Sequence, residues 1–367
     1  MVKLNQNSTR ALHTIKELLD AERYADLCGG SHLVRQLVRF GTSETLRQIW
    51  TTASSFSSRQ KSLLMLLFFG VRTPRSSAES LIEPAVLSAL VGLGVLREVD
   101  GCFEAANYCF LPVNGGYLIG PRLFGFQNAP SCPLYLGYDS FILADAVKAE
   151  TNALFAFEVG TGTGIASLSG SHTRTVASDI DPQAILIASA NFVLNGVEDR
   201  CSVAEGDLFT GLNFGSPDLI FSNPPYVPAP PDIPLPLYSW GGEDGLDFVR
   251  RILAALPGVV NQHTTCIFVL SAYGSADKTA LERLLTLMAG RYRIRLRYTN
   301  RITLEGADFE ALAQGARTVN SDPAITLERF REHYRKLDFL YKYDCILKIE
   351  TTGPFGLEIS PDYSSQN

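Results

Sequence analysis

The feature that most constrains this 367-residue chain is a run of three glycines at alternate positions, Gly160-Thr161-Gly162-Thr163-Gly164, directly after a short apolar stretch from Phe155 to Val159. Glycine adopts backbone angles that other residues avoid, and it lets the main chain approach a ligand closely. A strand that turns through such glycines into a helix is how α/β proteins hold nucleotide-like ligands. A dinucleotide fingerprint, Gly-x-Gly-x-x-Gly, would put its third glycine at position 165. That position is Ile165, and the third glycine comes one residue earlier, at Gly164.

The region around this turn alternates between extended and helical patterns. Strands are predicted over Thr175–Ser178, Cys201–Ala204, Asp218–Phe221, Cys266–Leu270, Ile294–Tyr298 and Cys345–Ile349. A helix is predicted to begin at Asp139-Ser140 and run through Phe141, Leu143 and Val147. Another runs from Pro182 to Asn195, with proline in its first turn and Gly196 just past its end, the usual asymmetry of helix termini. Strands alternating with helices predict an α/β fold with a mostly parallel, doubly wound sheet.

The glycine loop, with Glu158 two residues before its first glycine, resembles motif I of class I S-adenosylmethionine (SAM) methyltransferases. That resemblance implies a Rossmann-like sheet and SAM bound at the turn through Glu158, Gly160, Thr161, Gly162 and Gly164. Asp179 ends the second strand about twenty residues on, where a carboxylate can accept hydrogen bonds from ribose hydroxyls. Ile180 stands beside it, and Asp181 is placed to cap the helix that Pro182 starts. At the end of the third strand come Gly206, Asp207 and Leu208; in the methyltransferases this turn holds the adenine, with an acidic side chain near its amino group.

The fourth strand ends in Asn223-Pro224-Pro225-Tyr226, which resembles the motif of amino-methylating enzymes. SAM carries an activated methyl, so the protein has only to place a nucleophile in line with it. An amide or aromatic amine nitrogen is planar and weakly nucleophilic. The Asn223 side-chain carbonyl and the Pro224 main-chain carbonyl can each accept one of its N–H bonds, stabilising charge as it develops. Tyr226 can stack on a flat substrate. The expected catalytic set is Asn223, Pro224 and Tyr226, with Asn223 also bordering the cofactor. The expected acceptor contacts are Tyr138, Pro225 and Tyr226.

Beyond the proline-rich stretch Pro224–Pro236 lies Trp240-Gly241-Gly242-Glu243-Asp244-Gly245-Leu246-Asp247, similar to the Gly-Gly-x-Asp-Gly-Leu segment of HemK-type protein-glutamine methyltransferases. The resemblance covers roughly residues 139 to 270. It implies a helical N-terminal substrate domain and methylation of a glutamine side-chain amide. Three departures stand out. The N-terminal region is longer. Leu136-Gly137-Tyr138-Asp139-Ser140 occupies the place of the family's Pro-Arg-x-Glu-Thr stretch, and Ile302 to Tyr341 reads as an extra helical insertion before the last strand.

The first 130 residues read as helical. Asn7-Ser8-Thr9 is the expected cap of a helix through Leu12, Ile15 and Leu19; later helices carry Leu33, Leu37 and Val38, then Leu63 to Leu67, then Val86, Leu87 and Leu90. Asp100-Gly101 between two extended runs signals a hairpin. Helices followed by a hairpin predict a winged-helix-like module over residues 1–130, a docking or buttressing domain for a catalytic domain at 131–367. A nucleic-acid role for it would rest on Arg35, Arg39 and Arg47. Gly125 to Pro133 reads as a connector.

Composition narrows the function. The chain is 46% apolar and 19% charged, which suits a well-cored globular protein. Net charge is −6, divided into +3 through Pro130 (13 basic, 10 acidic) and −9 beyond it (19 basic, 28 acidic). An acidic catalytic half disfavours general nucleic-acid binding, which depends on phosphate neutralisation. The resemblance implies an amide or amino nitrogen of a protein, a peptide or a small molecule as methyl acceptor, with a natural product methylated on an oxygen or carboxylate, or an RNA or DNA base, as alternatives. The seven cysteines and five histidines are scattered and show no metal-binding spacing. No apolar run approaches the ~20 residues of a membrane span, and a cytoplasmic location is expected.

Overall fold

A computed structural model describes residues 3–41, 43–113, 115–122, 132, 134–210, 215–316 and 322–361. In chain order the elements are α1 (Gln6–Ala21), α2 (Tyr24–Leu27), α3 (Gly30–Phe40), α4 (Ser43–Ala53), α5 (Ser58–Leu67), β1 (Thr73–Pro74), α6 (Arg75–Leu81), α7 (Pro84–Gly92), β2 (Leu96–Val99), β3 (Cys102–Ala105), β4 (Tyr108–Val113) and β5 (Gly116–Pro121). There follow α8 (Tyr138–Ala149), β6 (Phe155–Val159), α9 (Ile165–Ser169), β7 (Arg174–Asp179), α10 (Pro182–Leu194), β8 (Cys201–Glu205), β9 (Leu219–Ser222) and α11 (Asp247–Ala255). The remainder comprises β10 (Thr265–Gly274), α12 (Ala280–Thr286), β11 (Arg293–Thr303), α13 (Gly306–Ala316), α14 (Pro323–Lys336), β12 (Tyr341–Glu350) and β13 (Gly356–Pro361). The chain forms two compact units. The first comprises Met1–Ala149 and Thr161–Asp207; the second comprises Glu150–Gly160 and Leu208–Asn367.

In the first unit, one apolar core runs from the N-terminal helices into the elements that follow the glycine loop. Leu12, Ile15 and Leu19 of α1 share it with Phe141 of α8 and with Ile187, Ala190 and Leu194 of α10. Helix α10 is apolar on nearly every face, with ten of its residues buried, as a helix packed on several sides must be. The first 130 residues are thus not a detachable module, because removing them would uncover this side of α10. The α1 cap is Asn5, whose side chain accepts from the Ser8 N–H at 2.8 Å, and not the Asn7-Ser8-Thr9 run. Any of these polar residues can cap, and the extended backbone of Asn5 decides the matter.

The Asp100-Gly101 hairpin is present. Both residues have positive φ, 48° and 69°, as a type I′ turn requires. It joins β2 to β3, and β3 also pairs antiparallel with β1. A second hairpin, β4–β5, was not anticipated. Its signal is Asn114-Gly115 between apolar runs, and Pro112 within the first run obscures it. Strands β7 and β8 pair in parallel. The connector from Gly125 to Pro133 lies outside the described residues apart from Cys132.

The second unit contains a mixed sheet. β6, β9 and β10 are mutually parallel neighbours in the order β6-β9-β10. β12 pairs antiparallel with both β10 and β11, so the sheet is less uniformly parallel than expected. Strand β11 runs on to Thr303 past a bulge between Tyr298 and Asn300, beyond the apolar alternation that would mark it. Among the described residues the insertion holds two helices, α13 and α14, between strands that themselves extend into the predicted range. β12 is also not the last strand. β13 pairs parallel with β11 at the edge, where its terminal proline is tolerated and its exposure leaves no apolar pattern to read. No helix among the described residues is long and apolar enough to cross a membrane.

Candidate active site

In the first unit the glycine loop from Thr161 onward is held by its neighbours' backbone. The Thr161 N–H donates to the Ser178 carbonyl at 2.9 Å, and the Gly164 N–H to the Thr161 carbonyl at 2.8 Å. The glycines serve different ends. Gly160, Gly162 and Gly164 have φ of 70°, 52° and 78°, in the left-handed region that strains other residues. A Cβ on Gly160 or Gly162 would meet nothing within 4 Å, whereas on Gly164 it would lie 3.0 Å from the Phe192 ring and 3.3 Å from Ala188. The first two leave an open approach to the loop; the third allows it to press against α10.

Asp179 ends β7 beside this loop. One carboxylate oxygen accepts the Gly162 N–H and the other the Asp181 N–H, each at 3.0 Å. Burial raises its carboxyl pKa above the ordinary aspartate value, and the backbone donors to it, led by the Asp181 N–H, oppose that shift. With the Ile180 N–H as a third backbone donor, the carboxylate still keeps part of its acceptor capacity for another donor. Asp181 caps α10 by accepting from the Gln183 N–H at 2.8 Å. Ile180 is exposed, an apolar side chain left in solvent next to the carboxylate. The Gly206 N–H donates to the Asp179 main-chain carbonyl at 3.0 Å, which brings the end of β8 alongside. Asp207 there is exposed. The next residue, Leu208, is buried with φ of 55°, a left-handed conformation rare for leucine.

In the second unit, β6 carries the buried Glu158 opposite Phe221 of β9. The Ser222 hydroxyl donates to the Val159 carbonyl at 2.7 Å, locking the ends of the two strands together. Asn223 follows at once. Its side-chain carbonyl Oδ1 is buried and has no hydrogen-bond partner among the described residues. A buried acceptor left in this state costs about 1–3 kcal/mol, so such groups are uncommon unless something else satisfies them. Pro224 is buried; Pro225 and Tyr226 are half-buried.

Two supports hold this loop. The Gly241–Gly245 segment runs against it: Val227 N–H donates to the Ser239 carbonyl, and Gly241 N–H to the Val227 carbonyl, at 2.9 and 3.0 Å. A Cβ on Gly241 would lie 2.8 Å from the Tyr226 carbonyl carbon, and one on Gly245 would lie 2.5 Å from its carbonyl oxygen. Only glycine fits. From the other side comes the α14 helix. Buried Tyr334 donates its hydroxyl to the Pro228 carbonyl at 3.1 Å, His333 Nε2 meets the Glu243 carbonyl at 2.6 Å, and Arg329 pairs with Asp232. Phe330 and Tyr334 pack with Ala229 and Ile233, and Tyr226 is partly buried against the same cluster. The insertion helices are thus built onto the proline-rich loop.

Tyr138 opens α8 in the first unit, with the Arg39 guanidinium 4.7 Å from its ring centre. Arg35 forms an ion pair with Asp145 at 2.6 Å and Arg47 one with Glu44 at 2.8 Å. The three arginines on which a nucleic-acid reading would rest are all engaged within the protein. Sequence reasoning missed Asn191 and Ser222, because each acts through a partner far away in the chain; it places Tyr334 on a helix of the insertion, facing the proline-rich loop, but not its bond to Pro228.

The ribosomal protein L11 methyltransferase (PrmA) family matches residues 141–223. A ribosomal protein uL3 glutamine methyltransferase from Bordetella pertussis is 36% identical over 118 residues, 29% of this chain and 40% of that protein. A release factor glutamine methyltransferase from Moorella thermoacetica is 31% identical over 215 residues, 52% of this chain and 76% of that protein. One from Geobacter sulfurreducens is 30% identical over 162 residues, 40% of this chain and 56% of that protein. The chain thus spans between two fifths and three quarters of these relatives' lengths. With that extent of identity to the Moorella protein, the chain belongs to the HemK-type, protein-glutamine methyltransferase family of class I methyltransferases, with their Rossmann-like α/β fold.

Proposed function

We propose that this protein transfers the methyl group of SAM to the side-chain amide nitrogen of a glutamine in a polypeptide. The observation that carries the reading is the buried Oδ1 of Asn223 in its Asn-Pro-Pro-Tyr loop, which has no hydrogen-bond partner among the described residues. An amide NH₂ offers the donor that this oxygen lacks. Accepting that N–H turns the nitrogen lone pair outward, and the Pro224 carbonyl can accept the second. When bound, SAM supplies the electrophilic methyl. The protein's own part is to orient the nitrogen and to stabilise the positive charge that grows on it. Asp179 keeps acceptor capacity for a ribose hydroxyl, exposed Ile180 and Asp207 are suited to border an adenine, and the open space over Gly160 and Gly162 allows close approach. The residues present therefore fit the cofactor. Acceptor choice follows from the departures noted above: α14 shapes the proline-rich loop, and just beyond that loop Leu237 and Trp240 remain exposed.

The test is transfer from methyl-labelled SAM to recombinant release factor and to ribosomal protein uL3, the acceptors in the relatives' names. Label should enter one of them, and fragmentation should place the added methylene on a glutamine side chain. Label found only on a carboxylate, a hydroxyl or a nucleic acid would overturn the reading.

Gly245→Ala tests the support beneath the catalytic loop. Its Cβ would collide with the Tyr226 carbonyl at 2.5 Å, from a residue already at φ of 80°. Displacing the loop by a fraction of an ångström should reduce transfer on the order of 100-fold. SAM affinity, measured by calorimetry, should change little. Full activity would show that the glycine segment does not set the loop's position.

A further inference from the structure

Helix α10 is almost wholly apolar, yet it carries a completely buried asparagine, Asn191, one turn before Asn195. Both side chains face strand β5. Asn195 accepts the Tyr117 N–H at 3.0 Å and donates to the Tyr117 carbonyl at 2.7 Å. Asn191 treats Ile119 in the same way, accepting its N–H at 2.7 Å and donating to its carbonyl at 2.9 Å. Each amide thus imitates a neighbouring strand, satisfying main-chain groups that a buried edge would otherwise strand. Asn191 does one thing more. Its Nδ2 also donates to the Thr163 carbonyl, at 2.9 Å, inside the glycine loop. Both amide protons and the carbonyl oxygen are then in use.

We infer that Asn191 is a positioning residue for the cofactor loop, tying it to the N-terminal β4–β5 hairpin so that SAM affinity depends on that hairpin. The inference rests on the reading that this loop takes SAM. The loop has little else to hold it on this side: Gly164 presses against Phe192 and Ala188 on the same helix, and Thr163 is buried. With Asn191 removed, the Thr163 carbonyl becomes a buried acceptor without its donor. The glycines on either side, both at positive φ, then keep only the Gly162 N–H bond to Asp179 and the Gly164 N–H bond to the Thr161 carbonyl to fix their conformation. A ligand that needs one loop geometry would have to order it on binding.

Asn195 provides a matched control. It makes the same pair of bonds to the hairpin, and no bond from it to the glycine loop is found among the described residues. Asn191→Ala, Asn195→Ala and the unchanged protein are compared by calorimetric titration with SAM and by thermal unfolding. Both variants should melt earlier. Asn195→Ala should keep SAM affinity within about twofold, whereas Asn191→Ala should weaken it about tenfold. Equal affinities in the two variants would overturn the inference and leave Asn191 as a docking residue only. Failure of the unchanged protein to bind SAM would overturn instead the cofactor reading beneath it. Should Asn191→Ala not fold, hydrogen exchange on the unchanged protein decides. SAM should slow exchange of the Ile119 amide more than that of the Tyr117 amide; equal slowing would overturn the inference.

Discussion

Asn223→Ala is expected to bind SAM as the unchanged protein does and to lose methyl transfer by a factor on the order of 100 to 1,000, the usual loss when one preorganised polar contact to the transition state is deleted. The same substitution should leave the melting temperature unchanged or slightly higher. The reason is the state of its Oδ1, buried without a partner among the described residues. Most buried polar side chains stabilise the fold, and their removal shows as lost stability. An acceptor that nothing satisfies costs free energy in the folded protein instead, so its removal relieves a penalty. Loss of turnover with retained stability is the signature of a group kept for function. Steady-state kinetics beside differential scanning calorimetry would show it. Turnover within a few-fold of normal would rule out the nitrogen-orienting role, and a large fall in melting temperature would mean that Asn223 is structural.

Gly162→Val should abolish measurable SAM binding, with affinity falling at least about 100-fold, or ~2.7 kcal/mol, while the protein still folds. Gly162 sits at φ of 52° with nothing within 4 Å of a built Cβ. The penalty to the fold is therefore backbone strain alone, roughly 1–2 kcal/mol. The branched side chain would instead fill the open space above the loop. Gly164→Val offers the contrast. Its Cβ would meet Phe192 at 3.0 Å in a packed interior, adding an overpacking cost of about 1–3 kcal/mol to the strain. That variant should be found unfolded or aggregated. Calorimetric titration with SAM and thermal melts separate the two cases. Unchanged affinity in Gly162→Val would remove the glycine loop from the cofactor site.

The strand, the glycine turn and the capped helix that follow one another from Phe155 to Asn195 were legible because their requirements are local. Positive φ calls for glycine at three positions, and Asp181 before Pro182 is a helix start wherever it occurs. The Asp100-Gly101 hairpin was readable for the same reason. The polar bulge in β11 and the exposed β13 were not, because neither carries a repeating apolar pattern. The β4–β5 hairpin was hidden by Pro112.

What the sequence by itself determined is the identity of the chemical groups: the glycine loop, the Asp179 carboxylate and the Asn223 amide, each specified by residues within a few positions of itself. Only the tertiary structure decided how those groups are held. Asn191 reaches Ile119 across 72 residues of chain, and Tyr334 reaches Pro228 across 106. Contacts over such separations leave no periodicity, because a buried amide or hydroxyl is placed by the packing of whole elements and not by its neighbours in sequence. The same holds for the continuous core of the first unit. The apolar faces of α1 and α10 are each visible alone, but that they bury one another follows only from the closing of a long loop, whose entropy the shared core must outweigh.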